Sequence, residues 1–224
     1  VRKEITMKNY VSIFAMMLCV AFPAHAQTLY HVEIIAFARD SAEADNEENG
    51  SKPPKLRYPE KITALQPDGS GASQFQQLPA ETLLLNNEAA TLKNRRNIRV
   101  LTHIGWQQSM EDTAHATSIL VSGGKQVDNH HELEGSVTLS IEHFLRADIN
   151  LWFNRFAANG TVDAVVLPNI PGTVADGGNP AYVATQTVSL QEQRRLRSGE
   201  LHYFDHPKFG LLMLVKPASS TPAP

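Results

Sequence analysis

Residues 135–153 alternate in polarity. Val137, Leu139, Ile141, Leu145, Ala147, Ile149, Leu151 and Phe153 share one parity, while Thr138, Ser140, Glu142, Arg146, Asp148 and Asn150 share the other. A period of two puts successive side chains on opposite faces of a strand, so the segment belongs in a sheet with one face dry and the other wet. As a single strand it would run roughly 60 Å at about 3.3 Å per residue, so it must bend or carry a bulge. His143 is the lone polar residue on the apolar parity, where a hydrogen-bonded core histidine is expected.

Other segments supply partners for that strand. Residues 29–39 are apolar on both parities, as are residues 211–215, which suits central positions in a sheet. In residues 98–107, Ile98, Val100, Thr102, Ile104 and Trp106 fall on one face and Arg99, His103 and Gln107 on the other, with Trp106 expected as a core anchor. Residues 116–121 form a short strand closed by a Gly123-Gly124 turn. Asn86 or Asn87 can cap a helix whose inner stripe is Leu85, Ala89 and Leu92, ending near Asn94.

Residues 182–197 admit two readings. Ser189 and Glu192 have capping-box spacing with Gly199 as a stop, but Leu190 and Leu196 make too thin a stripe for a helix. As a strand, Val188, Leu190 and Leu196 turn inward, Arg194 shares their face and pairs with Glu192, and Arg195 and Arg197 point to solvent. The strand is adopted. The architecture expected is a single α+β domain, a mostly antiparallel sheet of about five strands with one helix packed on a face.

Residues 1–26 have the form of a signal peptide. Lys8 precedes an apolar run, and Ala24-His25-Ala26 supplies the small residues a signal peptidase reads, so cleavage is expected before Gln27. The run is too short for a comfortable span of about 20 residues, so no membrane span is expected after cleavage. The single cysteine, Cys19, lies inside it, which leaves the processed chain without disulfides, thiolate metal sites or a cysteine nucleophile. The domain is expected over residues 27–216. Within it, residues 40–59 form a disordered acidic loop, and residues 217–224, rich in Pro, Ser and Ala, form a disordered tail. A net charge of −3 gives no sign of nucleic-acid binding.

No catalytic signature stands out. Ser122 and Lys125 match an S-x-x-K spacing, but the chemistry needs the serine at a helix start, and the adjoining glycines favour a turn. His202 and His206 lie four apart around Asp205, yet Gly199 and Pro207 oppose the helix that would aim both at one ion, so neither metal nor cofactor is expected. The densest cluster of recognition-type side chains is residues 193–210, QRRLRSGELHYFDHPKFG, set just before the apolar run 211–215.

That order resembles the C-terminal signature of the CsiV family of periplasmic peptidoglycan-binding proteins of Gram-negative bacteria. VLTHIGWQ at residues 100–107 and the segment opening ELEG at residue 132 agree with it. The resemblance implies a non-catalytic periplasmic protein that binds peptidoglycan in support of cell-wall assembly and cell shape. Candidate ligand-binding residues are Arg195, Arg197, His202, Tyr203, Asp205 and His206. Arginine forks suit the carboxylates of stem peptides, and His202 and Tyr203 suit the hydroxyls and apolar faces of the glycan. The alternative is an interaction module that docks onto a peptidoglycan synthase or its activator without touching the wall.

Overall fold

The computed structural model describes residues 28–40, 55–66, 75–160, 163–173, 178 and 180–218. The expected signal peptide with its cleavage site, most of the acidic loop, and the tail beyond Ala218 lie outside the described residues. The chain is mostly β, in two five-stranded sheets rather than the one expected. The first sheet runs β3 (Gln76–Gln77), β4 (Ile98–Ser109), β1 (Leu29–Arg39), β10 (Phe209–Pro217), β9 (Leu201–Asp205). The second runs β2 (Ile62–Thr63), β5 (Ser118–Val127), β6 (His130–Ile141), β7 (Leu145–Ala158), β8 (Tyr182–Arg195). All pairings are antiparallel except β2 with β5.

One core joins the sheets. Val32, Ile34, Ala36, Leu211, Met213, Val215 and Trp106 from the first pack with Ile119, Val137, Leu139, Ile149, Leu151, Val188 and Leu190 from the second. Trp106 is fully buried and donates Nε1–H to Gln108 Oε1 at 2.7 Å. β1 and β10 are both internal strands, as their two-sided apolar sequences require. The second face of the first sheet is covered by α1 (Asn86–Lys93), whose Ala89 and Leu92, with Leu85 just before it, pack on Ile35, Val100, Leu212 and Leu214.

The helix starts differently from the expectation. Neither asparagine caps it; Leu85 is the N-cap residue, and no side chain of its own does the capping. A carboxylate from the sheet takes over. Glu33, fully buried in β1, accepts the N–H groups of Leu84 at 2.7 Å and Leu85 at 2.8 Å. His31 and His103 place Nε2 at 3.2 and 2.7 Å from the same carboxylate. Burial alone would raise the Glu33 pKa, but these four donors outweigh it and hold the group at about 2.

Four further expectations are corrected. Residues 135–153 are not one strand but the hairpin of β6 and β7, turning at Glu142, His143 and Phe144. Ile141 pairs directly with Leu145, so the turn preserves parity and the alternation reads straight through it. His143 is therefore exposed in a turn and not buried in the core. Gly123 and Gly124 do not end a strand; they form a bulge inside β5. A Cβ on Gly123 would stand 2.7 Å from Leu101 O, and Gly124 has φ +75° with Glu132 Oε2 2.6 Å from the position of a Cβ. In β4 a bulge opposite Ala36 and Phe37 turns Val100 toward the helix while Leu101, Ile104 and Trp106 join the core, so the single apolar face is split between two layers.

Candidate functional site

The strand reading of residues 182–197 is the observed one, as β8. Arg194 lies where expected, with Nε 2.7 Å from Glu192 Oε1. It also reaches across to β9, donating Nη1–H to Tyr203 O at 2.7 Å and stacking its guanidinium 4.5 Å over the Phe204 ring. Arg194 thus fastens the edge strand of one sheet to the edge strand of the other, and Phe204 and Leu196 are buried beside it.

The six sequence-predicted site residues do not converge on one point. Tyr203 and Asp205 share the helix-side face of the first sheet with Phe37 and Arg39. Tyr203 donates its hydroxyl to Asp205 Oδ1 at 2.5 Å, and Arg39 Nη2 lies 2.7 Å from the same oxygen. Arg39 also bonds Tyr203 Oη and His206 O. The Phe37 and Tyr203 rings are parallel, 6.3 Å apart, above Gly210, where a Cβ would sit 2.7 Å from Phe37 Cζ. Burial and the Asp205 hydrogen bond push the Tyr203 hydroxyl up. Burial opposes ionisation of Asp205, but the bonds from Tyr203 and Arg39 prevail and hold its carboxyl below its ordinary value.

His202 and His206 serve the backbone. His202 Nε2 lies 3.1 Å from both N and O of Arg197, closing the crossover from β8 to β9. His206 exchanges backbone hydrogen bonds with Phe209 across the tight turn into β10, and Lys208 N–H donates to its Nδ1 at 3.2 Å. Among the described residues no group of three or more His, Cys, Asp or Glu is placed to hold a metal ion.

Arg195 and Arg197 lie elsewhere. Arg197 is exposed on the crossover, 3.6 Å from Glu200. Arg195 ends β8 on the outer face of the second sheet, its guanidinium 3.1 Å over the ring of Phe144. Directly opposite it in β7 is Arg146, also exposed. Among the described residues neither Arg146 nor Arg195 has a carboxylate at ion-pair distance. Like charges facing each other across a ladder are unfavourable, so an arginine pair without a counter-ion is a ready anion-binding position. The sequence places Arg146 on the wet parity, but only the β7–β8 register sets it against Arg195.

Two more cross-strand rows continue that face: Thr138, Asp148 and Gln193, then Ser136, Asn150 and Gln191. Gln193 Nε2 donates to Asp148 Oδ2 at 2.8 Å, and Gln191 Nε2 to Asn150 Oδ1 at 3.2 Å. Residues 55–59 cross above these rows as a strap. Asn150 Nδ2 donates to Arg57 O at 2.8 Å and Gln191 Nε2 approaches Lys55 O at 3.4 Å. Tyr58 pins the strap by packing edge-on, 4.9 Å from the Trp152 ring. Trp152 in turn donates Nε1–H at 3.2 Å to the buried carboxylate of Glu134.

No curated protein and no solved structure matches the chain at the significance required. One family model, described as peptidoglycan-binding protein CsiV, matches residues 10–218, nearly the whole chain and all of both sheets. The chain belongs to the CsiV family of peptidoglycan-binding proteins.

Proposed function

We propose that this protein binds peptidoglycan in the periplasm without catalysing a reaction on it, in support of wall assembly and cell shape, and that Arg146 and Arg195 take the carboxylates of the stem peptides. The observation that carries the reading is the pair of exposed arginines set directly opposite each other with no carboxylate at ion-pair distance among the described residues. A guanidinium offers five donors in a fixed fork, and two of them on adjacent strands make a rigid seat for one anion. Arg197, one turn of chain further on, extends the positive edge. Tyr203, Asp205, His202 and His206 act in this reading through the fold: they fix β9 and the crossover that follows Arg195 and carries Arg197.

The competing role is docking onto a peptidoglycan synthase or its activator. Sedimentation of the purified protein with protein-free sacculi separates the two. Retention on bare sacculi is expected; retention only after a second envelope protein is added would transfer the role to docking. Export is tested by intact-mass measurement on protein recovered from the periplasm, which is expected to begin at Gln27.

A further inference from the structure

We infer that the groove between the 55–59 strap and the outer face of the second sheet is a sugar-binding subsite that holds the amino-sugar backbone of the glycan strand. The inference rests on the peptidoglycan reading and names the part of the polymer that each end of the face takes. The groove has a volume of about 740 Å³, and its floor is Ser136, Thr138, Asp148, Asn150, Gln191 and Gln193. That volume falls within the range of small-ligand clefts.

Two features point to a bound group and to its chemistry. Ser136 is 1% exposed and lines the groove, yet its Oγ has no hydrogen-bond partner among the described residues. A buried hydroxyl left unsatisfied is unfavourable by about 1–3 kcal/mol, a deficit that a ligand hydroxyl or acetamido group lying in the groove removes. The rest of the floor consists of hydroxyls, carboxamides and one carboxylate. Carboxamides donate and accept at once, as vicinal hydroxyls and N-acetyl groups require, and a carboxylate accepts from hydroxyls. The two carboxylates that line the groove, Asp148 and Glu192, are balanced by Lys55 and Arg57 of the strap, whereas the arginine pair is positive, so charge favours the uncharged sugar chain in the groove and the stem carboxylates at the arginines. The spacing agrees with that division. The Asp148 row and the Arg146 row are two residues apart along β7, about 6.8 Å, so a stem peptide borne by a sugar in the groove starts close to the arginine pair.

The test uses glycan strands freed of stem peptides by amidase digestion, with the lactyl carboxyls so exposed converted to methylamides to leave the strand uncharged, titrated into the full-length processed protein and followed by backbone-amide NMR. Expected are shift changes concentrated on β6, β7 and β8 around the groove floor. The double variant D148A/Q193A should bind at least about tenfold more weakly, the loss of roughly two hydrogen bonds. Because that variant removes a cross-strand bond, the wild-type shift map stands as the independent readout should it fold poorly. Retention on intact sacculi with no binding of peptide-free glycan, or binding with shifts confined to another face, would overturn the subsite while leaving peptidoglycan recognition in place. Failure to bind either material would overturn both.

Discussion

Replacing Glu33 with Gln tests the deepest electrostatic feature of the fold. Its carboxylate is fully buried and receives two backbone amides at the start of the helix and two histidine rings. Holding the group at about 2 instead of 4.5 corresponds to roughly 3 kcal/mol of stability, taking about 1.4 kcal/mol per pH unit. Because the folded-state value is depressed, that stability is fully present above the unfolded value and drains away as pH falls from 4.5 toward 2. Gln keeps the shape but brings an NH₂ toward donors that need an acceptor, so E33Q should lose about 3 kcal/mol at neutral pH and be unable to lose it again in acid. Urea titrations of both proteins at about pH 7 and at steps down to about pH 2.5 give the difference curve, in which other carboxylates cancel. The gap between the two should narrow as pH falls. A gap below about 1 kcal/mol at neutral pH, or one that stays constant down to acid, would refute the reasoning.

Gly210→Ala should destabilise by about 1–3 kcal/mol, because the new methyl meets the stacked Phe37 and Tyr203 rings; thermal melting reads it, and an unchanged melting temperature would mean that the rings move aside freely. Tyr58→Phe should be neutral or slightly stabilising, since the Tyr58 hydroxyl is buried without a partner among the described residues and its pKa is driven up first by burial and then by Glu134; a loss above about 1 kcal/mol in urea titration would reveal a bond beyond those described. Arg194→Glu should lower the melting temperature before affecting binding, because Arg194 joins Glu192, Tyr203 O and Phe204; a variant that melts normally would contradict its role as a fastener between the sheets.

Much of the fold was legible because parity is a local property. Alternation in β7 and β8, two-sided apolarity in β1 and β10, and the Leu85, Ala89, Leu92 stripe each follow from the spacing of residues near in sequence. The hairpin in residues 135–153 was hidden by the same rule, since its turn returns Leu145 to the parity of Ile141. The division into two sheets was not legible, because inward faces look alike whether they pack on one layer or another. Glu33 passed unnoticed as a lone charge in an apolar strand; its four donors come from β1, β4 and the segment before the helix, and only tertiary contact assembles them. The candidate site divides along the same line. Arg195 was marked by its exposed parity, whereas its neighbour Arg146 is 49 positions away in the chain and is revealed only by register. The residues 202–206, dense in recognition-type side chains, prove to be bonded mainly to one another, to Arg39 and to the backbone.

The most direct test of wall recognition at the paired arginines is sedimentation of the double variant R146E/R195E with protein-free sacculi, beside wild type and R197E. Both replaced side chains are exposed and, among the described residues, without ion pairs, so the variant should melt within a few degrees of wild type. Reversing both charges turns attraction for stem-peptide carboxylates into repulsion. The account predicts that wild type is retained, R197E is retained in part, and R146E/R195E stays in the supernatant while melting normally. A double variant that melts normally and sediments with sacculi as wild type does would contradict it.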